Sequence, residues 1–374
     1  MDVGRLMLIA GALLAVGLAA SLAAPRLRVP GLVLFLGIGM AVGSEGLGWI
    51  DFSNYDLARS IGVVALALIL FEGGLASGFA EIRPVLPSAI SLATIGTLIT
   101  ALIGGFAAAW LFDFSTLDGL LVGSIIASTD GAAIFAVLRG STLRRKLART
   151  LEGEAGLNDP VAVLLVLGFL DWIEKPGYGV GDMLLLFLRE VGIGLAVGLA
   201  VGWLAVRGLQ RTRLASTGLY PVASLATAAL AYGAADVLHG SGFLAVYLAG
   251  LWLGSTTIPG KRTITAFHDG LAWLAQLAMF LTLGLLVFPH ELGEVAVEGT
   301  VLAVLVTVVA RPIGVAIATL FAGYSVRERL ILGWAGLRGA VPVVLATFPV
   351  IRGVPDSVRF FDIVFFAVLL STLL

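Results

Sequence analysis

The sequence holds no cysteine, only three histidines, and only 13% charged residues in a chain of 374. Without cysteine there can be no disulfide, no iron–sulfur cluster and no thiol nucleophile, and the redox compartment leaves no trace in the sequence. His239, His268 and His290 are scattered and fall at predicted helix ends, which argues against a histidine metal centre. Soluble domains carry about a quarter charged residues, so this charge density excludes an ordinary water-facing surface. The net charge of −1 offers no basic footprint for nucleic acid. Hydrocarbon is what the chain has instead: 59% of its residues are hydrophobic. They recur in runs that approach or exceed the roughly 20 helical residues needed to cross a ~30 Å hydrocarbon core. The expectation is an all-α polytopic membrane protein. The first run, Leu6–Ala24, is too long for a signal peptide, lacks a basic leader beyond Arg5, and is followed at once by another apolar run.

Turn and charge punctuation predicts thirteen spans, near residues 6–24, 29–43, 57–76, 86–111, 118–139, 150–171, 183–206, 218–237, 241–256, 267–288, 296–322, 328–346 and 357–374. Their connections alternate in charge. One set reads "PRLRVP", "EIRP", "RGSTLRRKLART", "RGLQRTR", "GKR" and "VRER", and carries fifteen of the 23 lysines and arginines. The other reads "SEGLGWIDFSNYD", "FDFSTLD", "DWIEKPGYGVGD", "DVLHG", "HELGEVAVEG" and "RGVPDS". The positive-inside rule therefore places the first set in the cytoplasm, the N-terminus outside and, after an odd number of spans, the C-terminus inside. The sequence stops at "AVLLSTLL", still apolar, which raises the expectation of a further cytoplasmic segment.

Two spans are interrupted by glycine, a polar residue and a charge near mid-membrane. Span five carries Thr129-Asp130-Gly131 about 17 Å from its outer end, and span twelve carries Gly336-Leu337-Arg338-Gly339 at a similar depth from the opposite side. Single glycines in membrane helices are packing devices. A midplane charge costs at least about 2.5–3.5 kcal/mol and asks for a reason. A shift of seven maps spans 1–6 onto 8–13 with inverted direction. Paired broken helices at matching places in inverted repeats point to a transporter's midplane site.

Span six opens "EGEAGLNDPVAVLL". Asp159 lies about 13 Å in from its cytoplasmic end. Glu154 and Asn158 share a helix face, with Asp159 turned by about 100°. A carboxyl kept from water and lipid must face protein or a watery funnel. There it holds a proton or, when ionised, a cation, which is the chemistry of exchange. Arg338 needs a buried partner, and Glu154 is the expected one. A glutamate held by arginine stays ionised, leaving Asp159 as the carrier beside the hydroxyl and carbonyl of Thr129. These all-oxygen ligands, Asp159 and Thr129, suit a hard alkali cation. The amide at Asn158 leaves one titrating carboxyl rather than two adjacent ones, so one proton would exchange for one monovalent cation without net charge movement. Glu152 is expected at the cytoplasmic entrance. The competing reading makes "NDP" a turn and starts the helix at Pro160.

At these residues the chain resembles the monovalent cation/proton antiporter superfamily, in its electroneutral branch. The carrying stretches are "FEGGL" (71–75), "ASTDGAAIFAVLRG" (127–140), "LEGEAGLNDPVAVLL" (151–165) and "GLRGAVPVVLAT" (336–347). The resemblance implies thirteen helices and crossed discontinuous helices in spans five and twelve. Spans 4–6 and 11–13 would form an ion-transport core (residues 86–172 and 291–374). Spans 1–3 and 7–10 would form a dimerisation scaffold (1–85 and 173–290). It further implies a lipid-embedded homodimer of the cell (inner) membrane, no cofactor, and K+ or Na+ with H+ as substrates. Residue by residue, Asp159 and Asn158 match the ion- and proton-binding pair, and Thr129 and Asp130 the adjoining "TD" motif. Glu154 and Arg338 match a structural ion pair, and Glu72 a funnel glutamate. Ala155 stands where sodium-selective relatives often have serine. The pattern is most similar to the potassium/proton subgroup, whose membrane part is usually followed by a cytoplasmic regulatory domain.

Two other classes make different demands. An intramembrane aspartyl protease would use "YD" (55–56) and "GVGD" (179–182), but both dipeptides fall in or beside outer loops, and Asp182 sits where a helix cap belongs. A cation channel usually builds rings of repeated elements around one axis; pattern alone does not rule one out, but a buried titratable aspartate beside two broken helices fits stoichiometric exchange better.

Overall fold

A computed structural model of the chain describes residues 3–27, 31–129, 144–336 and 338–373. Every regular element among them is helical. The first half contains α1 (Val3–Leu27), α2 (Gly31–Val42), α3 (Tyr55–Ser77), α4 (Phe79–Phe112), α5 (Thr116–Ile126) and α6 (Arg145–Glu174). The second half contains α7 (Val180–Arg211), α8 (Leu219–Val237), α9 (Gly242–Ser255), α10 (Lys261–Leu285), α11 (Ala296–Ala318), α12 (Val326–Trp334), α13 (Ala340–Ile351) and α14 (Ser357–Leu373). Seven of these are both long enough and apolar enough to cross a membrane: α1, α3, α4, α6, α7, α10 and α11.

The interruption predicted in span twelve is present; the one in span five reaches into residues 130–143, which lie outside the described residues. α5 stops at Ile126, and α12 and α13 are separated by a non-helical break that includes Arg338 and Gly339. The half-helices before the breaks start alike. Ser115 caps α5 by accepting from Asp118 N at 3.2 Å. Ser325 caps α12 by accepting from Glu328 N at 3.3 Å, while the Glu328 carboxylate accepts from Ser325 N at 2.8 Å. Serine followed three residues later by an acid satisfies orphan amides at a helix start. α4 and α11 also match, each containing a π-helical turn, at Leu92–Gly96 and Val306–Ala310.

α6 is one 30-residue helix with Pro160 inside it, so "NDP" is not a helix start. Proline removes one backbone donor and crowds the carbonyl four residues earlier, here that of Gly156. The absent side chain at Gly156 is needed: a Cβ there would lie 2.3 Å from the ring of Tyr247 on α9. α4 likewise starts earlier than the apolar pattern predicts, because Gly78, at φ 66°, turns the chain out of α3 directly into Phe79.

Membrane helices gain nothing from hiding apolar surface from equally apolar lipid, so close backbone approach holds them together. α4 meets α5 where a Cβ on Gly123 would lie 2.3 Å from Gly105 N, and α3 meets α9 where one on Gly250 would lie 2.3 Å from Phe71 O. α3 also packs on α10 and α13, α9 on α7 and α8, α5 on α6, and α14 on α11 and α13.

Among the described residues, ion pairs between connections stay within one set. Arg145 reaches Glu81 at 2.7 Å and Arg144 reaches Glu328 at 3.4 Å, within the basic set. Arg352 reaches Asp171 at 2.8 Å and Glu174 at 3.1 Å, and His290 contacts Glu45, within the acidic set.

Candidate functional site

The break after α5 lies against the middle of α6 through two hydrogen bonds. The Ser128 hydroxyl donates to Asp159 Oδ1 at 2.9 Å, and Asn158 Nδ2 donates to Thr129 Oγ1 at 2.8 Å. Consecutive residues on the unwound segment thus hold consecutive residues on the helix. Ser128, Thr129 and Asn158 are at most 1% exposed, and Asp159 is 8% exposed. Asn158 Oδ1 is buried and accepts no hydrogen bond among the described residues. Asp130 lies outside the described residues.

Asp159 lines a cavity of about 90 Å³ between α3, α6, α9, α10 and α13. Glu72 and Glu152 line the same cavity, with Tyr247, Gln276 and Met279 on the opposite wall. Oxygen chemistry therefore dominates its polar lining, and among the described residues no cluster of histidine, aspartate and glutamate has the geometry to hold a metal ion. Glu152 also binds Arg149 at 2.5 Å, and Arg149 reaches Glu81 at 3.2 Å. The cavity wall is thereby tied to the basic end of the bundle. Charge on three carboxylates around one cavity raises the local cation concentration.

Glu154 does not pair with Arg338. Its Oε1 lies 2.6 Å from Arg311 Nη1 on α11, and both side chains are 1% exposed. Contact is ionic and off the hydrogen-bonding axis: neither Glu154 oxygen accepts a well-aligned bond among the described residues. Room for the Arg311 stem comes from the second break, where a Cβ on Gly336 would lie 2.6 Å from Arg311 Nε. Arg338 is committed elsewhere. Its Nε donates to Ile126 O at 2.7 Å and its Nη1 to Thr307 Oγ1 at 2.8 Å, while its own carbonyl accepts from Thr372 at 2.9 Å. Ile126 is the last residue of α5, so the guanidinium satisfies an orphan carbonyl and opposes the negative end of the half-helix dipole. An arginine beside helix-end carbonyls has that claim on its charge, and this is why the expected pairing goes to Arg311.

The structure thus brings Asp159, Asn158 and Thr129 together and places Glu72 and Glu152 on the same cavity. Sequence reading overlooked Ser128, one residue before Thr129. Arg311 also falls within a predicted span, and helical rise alone gives no ground for choosing it over Arg338. Asp182, weighed for a protease, accepts from Gly179 N at 3.0 Å and closes the start of α7.

Residues 11–374 match the profile of the transmembrane sodium/hydrogen exchangers. The chain belongs to that family. It is therefore a multi-pass membrane protein from a family of transporters and not of enzymes. It is 40% identical over 375 residues to the K(+)/H(+) antiporter NhaP2 of Shewanella sp. (strain ANA-3), covering 100% of this chain and 65% of that protein. Identity to the K(+)/H(+) antiporter NhaP of Alkalimonas amylolytica is 39% over 366 residues, covering 97% of this chain and 64% of that protein. The chain thus spans about two thirds of the length of these relatives. Among solved structures, the sodium proton antiporter MjNhaP1 from Methanocaldococcus jannaschii at pH 8 superimposes with a TM-score of 0.83 at 26% identity, covering 99% of this chain and 96% of that one.

Proposed function

We propose that the protein exchanges one monovalent alkali cation, K+ ahead of Na+, for one proton across the cell membrane, with Asp159 as the shared site. A single observation carries this reading: Asp159 lines a cavity together with Glu72 and Glu152, and the backbone break after α5 is hydrogen-bonded to it. In one state Asp159 is protonated and neutral. In the other its carboxylate holds the cation with oxygens of Thr129 and Asn158. Both loaded forms carry the same net charge, so either can cross the low-dielectric interior, while the empty carboxylate is too costly to move. Glu154 takes no part in the exchange, because it is paired with Arg311.

Preference for K+ is supported by the two longer relatives named K(+)/H(+) antiporters, and Na+ remains a substrate by likeness to MjNhaP1. No cofactor enters the cycle. Thirteen spans in two inverted repeats are supported by the matching serine caps of α5 and α12 and the matching π turns of α4 and α11. A core of residues 86–172 and 291–374 moves against a lipid-embedded homodimeric scaffold of 1–85 and 173–290. The clustering of basic connections at one end supports a cytoplasmic face there, with the N-terminus outside and the C-terminus inside. Glu72 and Glu152 then line the cytoplasmic funnel.

The test is proton flux in proteoliposomes with an acidic interior. Addition of K+ or Na+ outside should dissipate ΔpH, choline should not, and Asp159→Asn should abolish the response. A cation response that persists in Asp159→Asn would remove Asp159 from the mechanism.

A further inference from the structure

Two serines buried within helices of this bundle behave alike: Ser124 and Ser371 each return the hydroxyl proton to a carbonyl three or four residues back on their own helix. This is the local bond that a serine makes when nothing else claims it. Ser128 is fully buried too, but it donates across to a carboxylate. The reason is positional: α5 ends at Ile126, so Ser128 stands beyond the last turn and is aimed at α6. It is therefore a hydroxyl that the helix break delivers to the one carboxylate on the cavity that is adjacent to the break.

We propose that Ser128 is a positioning residue for the exchange, keeping Asp159 hydrogen-bonded in both of its loaded states and lending its oxygen to the cation. The proposal rests on Asp159 being the shared site. A hydroxyl is both donor and acceptor, and it rotates to suit its partner. When Asp159 is protonated, the carboxyl O–H donates to Ser128 Oγ. When a cation arrives, that O–H bond breaks, the carboxylate keeps the electron pair, and the proton leaves to water in the cavity. Ser128 then turns and donates to the carboxylate, as in this structure, and presents its lone pairs towards the space beside the ion. Thr129 Oγ1 accepts from Asn158, whereas the bond to Asp159 is made by Ser128. A side chain without the hydroxyl would take this hydrogen bond away from Asp159 in both of its loaded states.

The experiment compares Ser128→Ala, Ser128→Thr and, as a control, Ser124→Ala, in detergent and in proteoliposomes. Thermal unfolding across a KCl series gives the half-saturating K+ for stabilisation of the folded state. ΔpH dissipation gives KM and maximal rate separately. Ser128→Ala, which removes one oxygen and adds no atoms, should raise half-saturating K+ and KM about tenfold, the size expected for one hydrogen bond to a charged group. Its maximal rate at saturating K+ should stay within about threefold of the unmutated protein, and Ser128→Thr should recover most of the affinity because it keeps the hydroxyl. Ser124→Ala should leave both values unchanged. The proposal is overturned if Ser128→Ala matches Ser124→Ala. It is equally overturned if Ser128→Thr, at unchanged stability without K+, is as impaired as alanine, because shape and not the hydroxyl would then matter. The two readouts separate this idea from the antiport reading. K+ stabilisation that depends on Ser128 without ΔpH coupling would sink antiport and leave Ser128 in place. Intact antiport with unaltered affinity in Ser128→Ala would do the reverse.

Discussion

Arg311 on α11 and Arg338 in the break between α12 and α13 are each 1% exposed and do different work. Arg311 meets a carboxylate, Glu154, in a contact that is mainly ionic. Arg338 meets no carboxylate among the described residues and is held by a helix-end carbonyl and a threonine hydroxyl. One arginine neutralises a full charge, and the other neutralises the partial charge at the end of an interrupted helix. A buried charge in a membrane protein thus needs compensation without needing an opposite residue, because backbone dipoles exposed by a break also serve. Glu154 is thus engaged by Arg311, and Arg338 by the end of α5.

The largest effect should come from breaking the ionic half of this pair. Arg311→Met leaves Glu154 buried against no cation and should lower stability by about 3–5 kcal/mol. Adding Glu154→Leu should recover most of that, read as the unfolding midpoint of the double variant. Arg338→Met removes two hydrogen bonds from a charged donor and should lower stability by about 2–3 kcal/mol. Combined with Glu154→Gln its loss should simply add, because the two residues share no bond. A strongly non-additive cycle between Arg338 and Glu154 would put those two in contact and refute the assignment. Gly336→Ala pushes a methyl group against the Arg311 stem and should cost about 1–3 kcal/mol, vanishing when Arg311 is already methionine. The smallest effects are expected at the caps. Ser115→Ala and Ser325→Ala should each lower stability by about 1 kcal/mol and by similar amounts, since each removes the same kind of hydrogen bond at a helix start.

Much of this was legible from residue types. Charge and glycine in the middle of apolar runs marked both breaks, and the position of Asp159 in span six marked it as buried. Pro160 was harder: Asn-Asp-Pro is good turn chemistry, and only the packing of Tyr247 on Gly156 shows why the helix continues through it. The choice between Arg311 and Arg338 was not legible at all. Helical rise gives the depth of a residue along its own span but not the azimuth at which two spans meet. Glu154 finds its partner by that azimuth. Ser128 was missed for a related reason: a serine beside a glycine-containing break reads as a packing residue until the segment is seen to point at α6.

The account stands on one carboxyl serving two occupants, and proton release on cation binding tests it most directly. Purified protein in weakly buffered detergent, at a pH where Asp159 is protonated, would be titrated with KCl while released protons are counted. The account predicts saturable release approaching one proton for each K+ bound, and none from Asp159→Asn. K+ binding without proton release, or release that survives in Asp159→Asn, would contradict it.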